Sequence, residues 1–243
     1  MFTPVANTIQ ITPPTASGLV WMMDQGQAST TKPFGNFWYN TSPNGKPSFA
    51  GSNFIVKTGT ITQEVQSNSN GYYKTWDGAN FGYFEFQNVN PTASFNTLIS
   101  IDKPIKITGY YQALWARGAT TGQFPVKKPD ENYLSLYLPG FFDFVNIPFD
   151  TGSWRMNVLE APGSGGTTFT MRSCPDSGIF VSQSVTTGQV FQGFDNYGGL
   201  NYFGTPVNSW GYIKAMLYYD RQLTNAELNT IFSYYNSFGY FDS

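Results

Sequence analysis

The sequence predicts an all-β fold: an antiparallel sandwich or barrel of many short strands, with one short C-terminal helix. Three observations carry that expectation. Short runs of apolar and aromatic residues recur along the chain, and each stops at a Gly, Pro, Asn or Asp turn; 25 glycines and 15 prolines are spread over 243 residues. Such dense turn signals between short runs suit antiparallel sheets. No amphipathic helical stripe alternates with these runs, which argues against a parallel α/β arrangement. A single helical stripe stands at the end of the chain.

Taken in order, the run Thr58–Val65 is bounded by Ser67-Asn68-Ser69-Asn70-Gly71, and Gly82–Gln87 follows Asp77-Gly78. Ile105–Trp115 comes next, then Tyr133–Leu138 before Pro139-Gly140 and Trp154–Leu159 before Ala161-Pro162-Gly163. Thr167–Arg172 and Ile179–Val185 flank Pro175-Asp176-Ser177-Gly178. That segment reads as a hairpin, because Pro presets φ and Gly supplies a positive φ. Gly211–Asp220 reads as a strand with Ile213, Ala215, Leu217 and Tyr219 on one face. Thr224-Asn225-Ala226-Glu227 has the form of a capping box, in which the hydroxyl and the carboxylate each satisfy an orphan N–H. Leu228, Ile231, Phe232 and Tyr235 then follow at i, i+3, i+4 and i+7, and Gly239 stops the helix.

Charge and composition exclude several functions. Lys and Arg number 13 against 15 Asp and Glu, a net charge of −2 without histidine. A chain so nearly neutral lacks the basic footprint of a nucleic-acid binder or a polybasic membrane binder. Without histidine, imidazole triads and the commonest metal ligand are missing. One cysteine, Cys174, can form neither an intrachain disulfide nor a thiolate cluster. No basic n-region precedes an apolar run near residue 1, and no apolar run is long enough to span a bilayer. Membrane insertion and nucleic acid are therefore not expected, and neither is a cofactor or a metal.

Four segments together carry a family resemblance: Asn208–Asn236 (NSWGYIKAMLYYDRQLTNAELNTIFSYYN), Tyr72–Phe86 (YYKTWDGANFGYFEF), Thr151–Ser184 and, more loosely, Gly18–Thr30. Their order resembles that of concanavalin A-like lectin/glucanase domains of the laminin-G/pentraxin type. In that family a Gly-aromatic-Ile strand with a Y-(D/N)-R-x-L tail runs into an L-(T/S)-x-x-E-(L/I) helix. The resemblance implies a jelly-roll sandwich of two curved antiparallel sheets spanning residues 18–243, preceded by an extended arm, residues 1–17. It also aligns Trp154 and Trp210 with inward-facing positions. It implies no single activity, because the fold hosts lectins, adhesion modules, glycoside hydrolases, lyases and virion proteins. The second aspartate of the family's D-G-x-x-D-Y turn is Phe81 here, which removes an acid that a calcium ion would use.

Candidate chemistry is sparse. Carboxylates at i, i+2 and i+4 of a strand would share a face, as a glycoside hydrolase needs. The chain offers only the adjacent pair Asp130 and Glu131, which would point to opposite faces, and distant pairs such as Asp143 with Glu160. No catalytic residue is assigned on that basis. A sugar site needs aromatic platforms beside amide or carboxylate groups. Phe194–Gly199 with Tyr202 supplies that mixture, so Asp195, Asn196, Tyr197 and Tyr202 are the candidate carbohydrate-binding residues, against the plainer reading of a turn covering the sandwich edge.

Few charges and many aromatics, amides and hydroxyls suit a surface covered by neighbours. The leading expectation is thus a non-catalytic, lectin-like structural or attachment component of a larger particle, a virion being the most economical case. Its partners would be other protein subunits and, second, cell-surface glycans. Its location would be a virion or the extracellular surface. The alternative is a stand-alone carbohydrate-binding adhesion module, followed by a divergent polysaccharide-active hydrolase or lyase.

Overall fold

A computed structural model of the chain describes residues 17–24, 55–56, 62–65, 71–75, 84–85, 95–105, 112–116, 123–127, 133–138, 141–148, 152–163, 166–188, 196–197, 200–202, 205–207 and 210–242. The strands are β1 (Leu19–Asp24), β2 (Ile55–Val56), β3 (Thr62–Val65), β4 (Gly71–Lys74), β5 (Phe84–Glu85), β6 (Phe95–Pro104), β7 (Gln112–Ala116), β8 (Gln123–Lys127) and β9 (Tyr133–Leu138). They continue with β10 (Phe141–Pro148), β11 (Arg155–Pro162), β12 (Thr168–Pro175), β13 (Val181–Thr186), β14 (Asn196–Tyr197), β15 (Leu200–Tyr202), β16 (Thr205–Val207) and β17 (Gly211–Tyr219). One helix, α1 (Asn225–Ser237), follows. Among the described residues every ladder pairing is antiparallel, and the all-β expectation with a single C-terminal helix holds.

Two sheets make the body. The first runs β13-β12-β11-β6-β17-β4-β3, with β1 also paired to β17. The second runs β10-β9-β8-β7-β14-β5-β2, and β15-β16 form a separate pair. The first sheet is the middle layer. On one face, Ile99, Ile101, Met156, Val158, Ala215 and Leu217 pack with Leu228, Ile231, Phe232 and Tyr235 of α1. On the other, Met216 Sδ accepts a hydrogen bond at 2.9 Å from Trp115 Nε1 on β7 of the second sheet. A sheet covered on both sides reads as near-continuous burial. β11 and β17 are accordingly buried along almost their whole length.

Local chemistry explains the elements nearest α1. Thr224 caps the helix, its hydroxyl accepting from Glu227 N while Glu227 Oε2 accepts from Thr224 N. The buried helical residues are the four of the expected stripe. The β12–β13 turn closes through Gly178 N donating to Pro175 O at 3.1 Å, with Gly178 at φ +77°. A Cβ on Gly178 would also approach the Phe232 ring to 3.1 Å, so the turn needs glycine for space as well as for backbone.

The central strand β6 departs from expectation. The sequence runs suggested Ile105–Trp115 as one strand; instead β6 ends at Pro104 and β7 begins at Gln112. β6 hides among polar letters because Asn96, Ser100 and Asp102 are buried between the sheets rather than turned to water. Trp154 and Trp210 are core residues, as expected, and Trp115 is buried with them. Residues 1–16 of the expected arm, Phe81 and its turn, Asp130, Glu131 and Asp195 lie outside the described residues. Among the described residues no helix is long and apolar enough to cross a membrane.

Candidate functional site

The outer face of the first sheet is only partly covered by α1. Where the helix meets the β12–β13 hairpin, a groove of about 390 Å³ opens, lined by Arg172, Ile179, Phe180, Ser182, Asn225 and Asn229 with Gly178 and Leu228 at its floor and wall. Its volume lies in the range of small-ligand sites. The wall is apolar: Ile179 is 70% exposed, and Phe180 meets Phe232 edge-on at 6.3 Å. The lining also holds two amides from the helix, Asn225 and Asn229, and the Ser182 hydroxyl from the hairpin.

Arg172 is fixed rather than free. Its Nε and Nη2 donate to Glu160 Oε2 at 2.8 and 2.7 Å, and its Nη1 donates to Asn225 Oδ1 at 2.9 Å. Glu160 is fully buried beneath it, and Glu160 Oε1 has no hydrogen-bond partner in the structure. The pair neutralises the one charge that the described residues bring to the groove lining, and Arg172 ties the helix N-terminus to the sheet. Across the ridge made by Gly178 and Phe232 lies a more open hollow of about 510 Å³, lined by Asp176, Ser177, Asn236, Phe241 and Asp242. Phe241 stacks on Phe232 at 4.5 Å to form its floor.

Beyond the groove, the same sheet face carries paired hydroxyls. Arg172 is in register with Ser182, Thr170 with Ser184 and Thr168 with Thr186. Thr170 Oγ1 lies 2.8 Å from Ser184 Oγ, and Thr168 Oγ1 lies 3.0 Å from Thr186 Oγ1. Thr168, Ser182, Ser184 and Thr186 are exposed.

The sequence-predicted sugar residues lie elsewhere. Asn196 and Tyr197 form β14, a strand between β5 and β7 in the second sheet, and Tyr202 ends β15. The segment is thus sheet rather than an open turn, and it is not brought to the groove. Asp143 sits in β10 of the second sheet while Glu160 is enclosed in the first. Cys174 is buried, and burial pushes its thiol up to about 12, so it is not a nucleophile at neutral pH. Among the described residues no three His, Cys, Asp or Glu side chains gather as a metal site would require. Sequence reasoning missed Arg172, Asn225 and Asn229. The signal available was the period-two alternation Thr168-x-Thr170-x-Arg172 and Ser182-x-Ser184-x-Thr186, which places hydroxyls on one face.

No protein-family model matches the chain, and no curated protein matches it in sequence. Solved structures do. Domain 4 of AbnA, a GH43 extracellular arabinanase from Geobacillus stearothermophilus, in complex with arabinotriose, aligns with TM-score 0.56 and 13% identity over 88% of this chain and 97% of that one. The Trypanosoma rangeli sialidase aligns with TM-score 0.58 and 14% identity over 93% of this chain but 34% of its own. The receptor binding domain of botulinum neurotoxin C/D mosaic serotype aligns with TM-score 0.56 and 10% identity, over 90% of this chain and 52% of that one. The chain thus spans about a third of the sialidase, half of the toxin domain and nearly all of the arabinanase domain. It shares their β-rich fold.

Proposed function

We propose that the protein is a non-catalytic carbohydrate-binding β-sandwich of the concanavalin A-like type, and that the groove between α1 and the β12–β13 hairpin is where a sugar docks. The observation that supports this most is the groove itself: an exposed aliphatic side chain, two amides and a hydroxyl line one hollow, the mixture of apolar and hydrogen-bonding surface that a sugar ring presents in return. The end-to-end alignment with an isolated domain solved with arabinotriose points the same way. A non-catalytic role is supported by the lining, which holds no carboxylate among the described residues. Glu160, just beneath it, is enclosed and paired with Arg172.

The segment holding Asn196, Tyr197 and Tyr202 is the rival site. Membership of a larger assembly, a virion above all, rests on composition alone; neither the groove nor the comparisons speak for it.

Glycan-array screening of the purified protein followed by titration of hits tests the reading. Asn229→Ala and Ile179→Ser are expected to weaken binding about tenfold each, the loss of one hydrogen bond or one apolar contact. Tyr197→Ala is expected to leave it unchanged. The reverse pattern would move the site to β14, and oligosaccharide cleavage by the wild type would overturn the non-catalytic role.

A further inference from the structure

Resting on that reading, we infer that the site extends from the groove along the hydroxyl rows of β12 and β13, and that its ligand is a neutral oligosaccharide chain rather than a sialylated or uronic-acid glycan.

Charge argues first. An acidic sugar is held by a cation whose charge is not already cancelled, and arginine is the residue suited to a carboxylate. Among the described residues Arg172 is the one cation in the groove lining, and three of its five N–H groups already donate, two to Glu160 and one to Asn225. Its charge is cancelled at contact distance by a buried carboxylate. Across the Gly178 ridge, the hollow adds Asp176 and Asp242, both exposed, which repel a second anion.

Shape and hydrogen-bonding capacity argue next. From Arg172 to Thr168 the strand advances four residues, roughly 13 Å at the rise of a β-strand. Along that length Ser182, Thr170 with Ser184, and Thr168 with Thr186 present a continuous track that starts in the groove. Each hydroxyl pair uses one donor internally, which leaves one donor and spare lone pairs for a ligand. Such a track hydrogen-bonds sugar hydroxyls with no ionic contribution. The fully buried Glu160 holds the guanidinium on the sheet through Oε2, which accepts from both Nε and Nη2 of Arg172.

Titration calorimetry of the full chain with neutral arabino- and manno-oligosaccharides of two to five units, sialyllactose and oligogalacturonate tests this. Expected is binding to a neutral series, with affinity rising at least tenfold from the disaccharide to the tetrasaccharide and little dependence on salt. In Thr170→Val/Ser184→Ala, both exposed-face changes, the gain with length should shrink about tenfold while disaccharide binding persists. Preference for sialyllactose or oligogalacturonate would overturn the inference and leave the carbohydrate reading standing. So would a length dependence untouched by the double substitution. Absence of binding to neutral and acidic sugars alike would overturn the carbohydrate reading itself.

Discussion

The two faces of the β6–β17 pair each bury an ionisable group, and they accommodate it in opposite ways. Asp102 lies between the sheets, where its carboxylate accepts from Trp210 Nε1 at 2.6 Å and from Asn157 Nδ2 at 3.0 Å to each oxygen. Lys214 lies on the helix face as the extra residue of a bulge between Ile213 and Ala215. Its Nζ donates to Tyr240 O at 2.7 Å and sits 4.0 Å from the centre of the Trp154 ring. Burial raises Asp102 to about 6 despite the hydrogen bonds from Trp210, Ser100 and Asn157 and the nearby Arg155 charge. Burial lowers Lys214 to about 7, with Asp242 opposing that shift and Lys103 adding to it. The carboxylate holds a network together, while the ammonium is tolerated by one carbonyl and a π face. Removing them should therefore have opposite signs.

The largest effect is expected at Asp102. Asp102→Ala removes the acceptor of the Trp210 and Asn157 donors and the negative charge near Arg155, and should cost about 3 kcal/mol in urea unfolding. Lys214→Met keeps the length and removes the charge, so it should be neutral or stabilising, by about 1 kcal/mol. If both substitutions destabilise alike, the contrast between the faces is lost.

The pH profile sharpens the same contrast. Between about pH 4 and 6 the folded chain holds the Asp102 proton that the unfolded chain has released, so this contribution to stability falls as pH rises through that window. Between about pH 7 and 10.5 the unfolded chain keeps the Lys214 proton that the folded chain has lost, so stability rises there. Urea midpoints across pH should show a shallow minimum near pH 6–7, with the upper limb flattened in Lys214→Met. A smaller loss, about 1 kcal/mol, is expected for Thr224→Ala, which removes one half of the capping box.

This contrast also marks what sequence alone could reveal. The helix and its cap were legible because Thr224, Glu227 and the stripe Leu228–Tyr235 obey local rules of spacing. The β12–β13 hairpin was legible for the same reason, since Pro175 and Gly178 act on their own backbone. β6 was not, because the partners that justify burying Asp102, Trp210 and Asn157, come from strands 55 and 108 residues away. The groove stayed hidden on similar grounds. Arg172 and Asn225 look like ordinary surface residues until the fold brings them within 2.9 Å. Asn196 and Tyr197 drew notice for their chemistry, and local chemistry gave no warning that they would be drawn into a ladder with β5 and β7.

Arg221 joins three pieces of the molecule at one corner. Its Nε donates to Ser17 O at 2.8 Å, its guanidinium grips Glu227 of α1 through both oxygens, and its carbonyl accepts from Thr97 Oγ1 on β6 at 2.7 Å. Gly18, at φ +75°, passes beneath it where a Cβ would meet the side chain at 2.8 Å. Mechanically, this makes a short load path. A pull applied at Ser17 and resisted at the helix runs through one guanidinium into the first turn of α1, the helix whose Asn225 and Asn229 line the groove. Because Leu19 faces Tyr219 at the α1 end of the antiparallel β1–β17 ladder, the same pull enters both strands at one end, and the Arg221 contacts stand in front of the first rung.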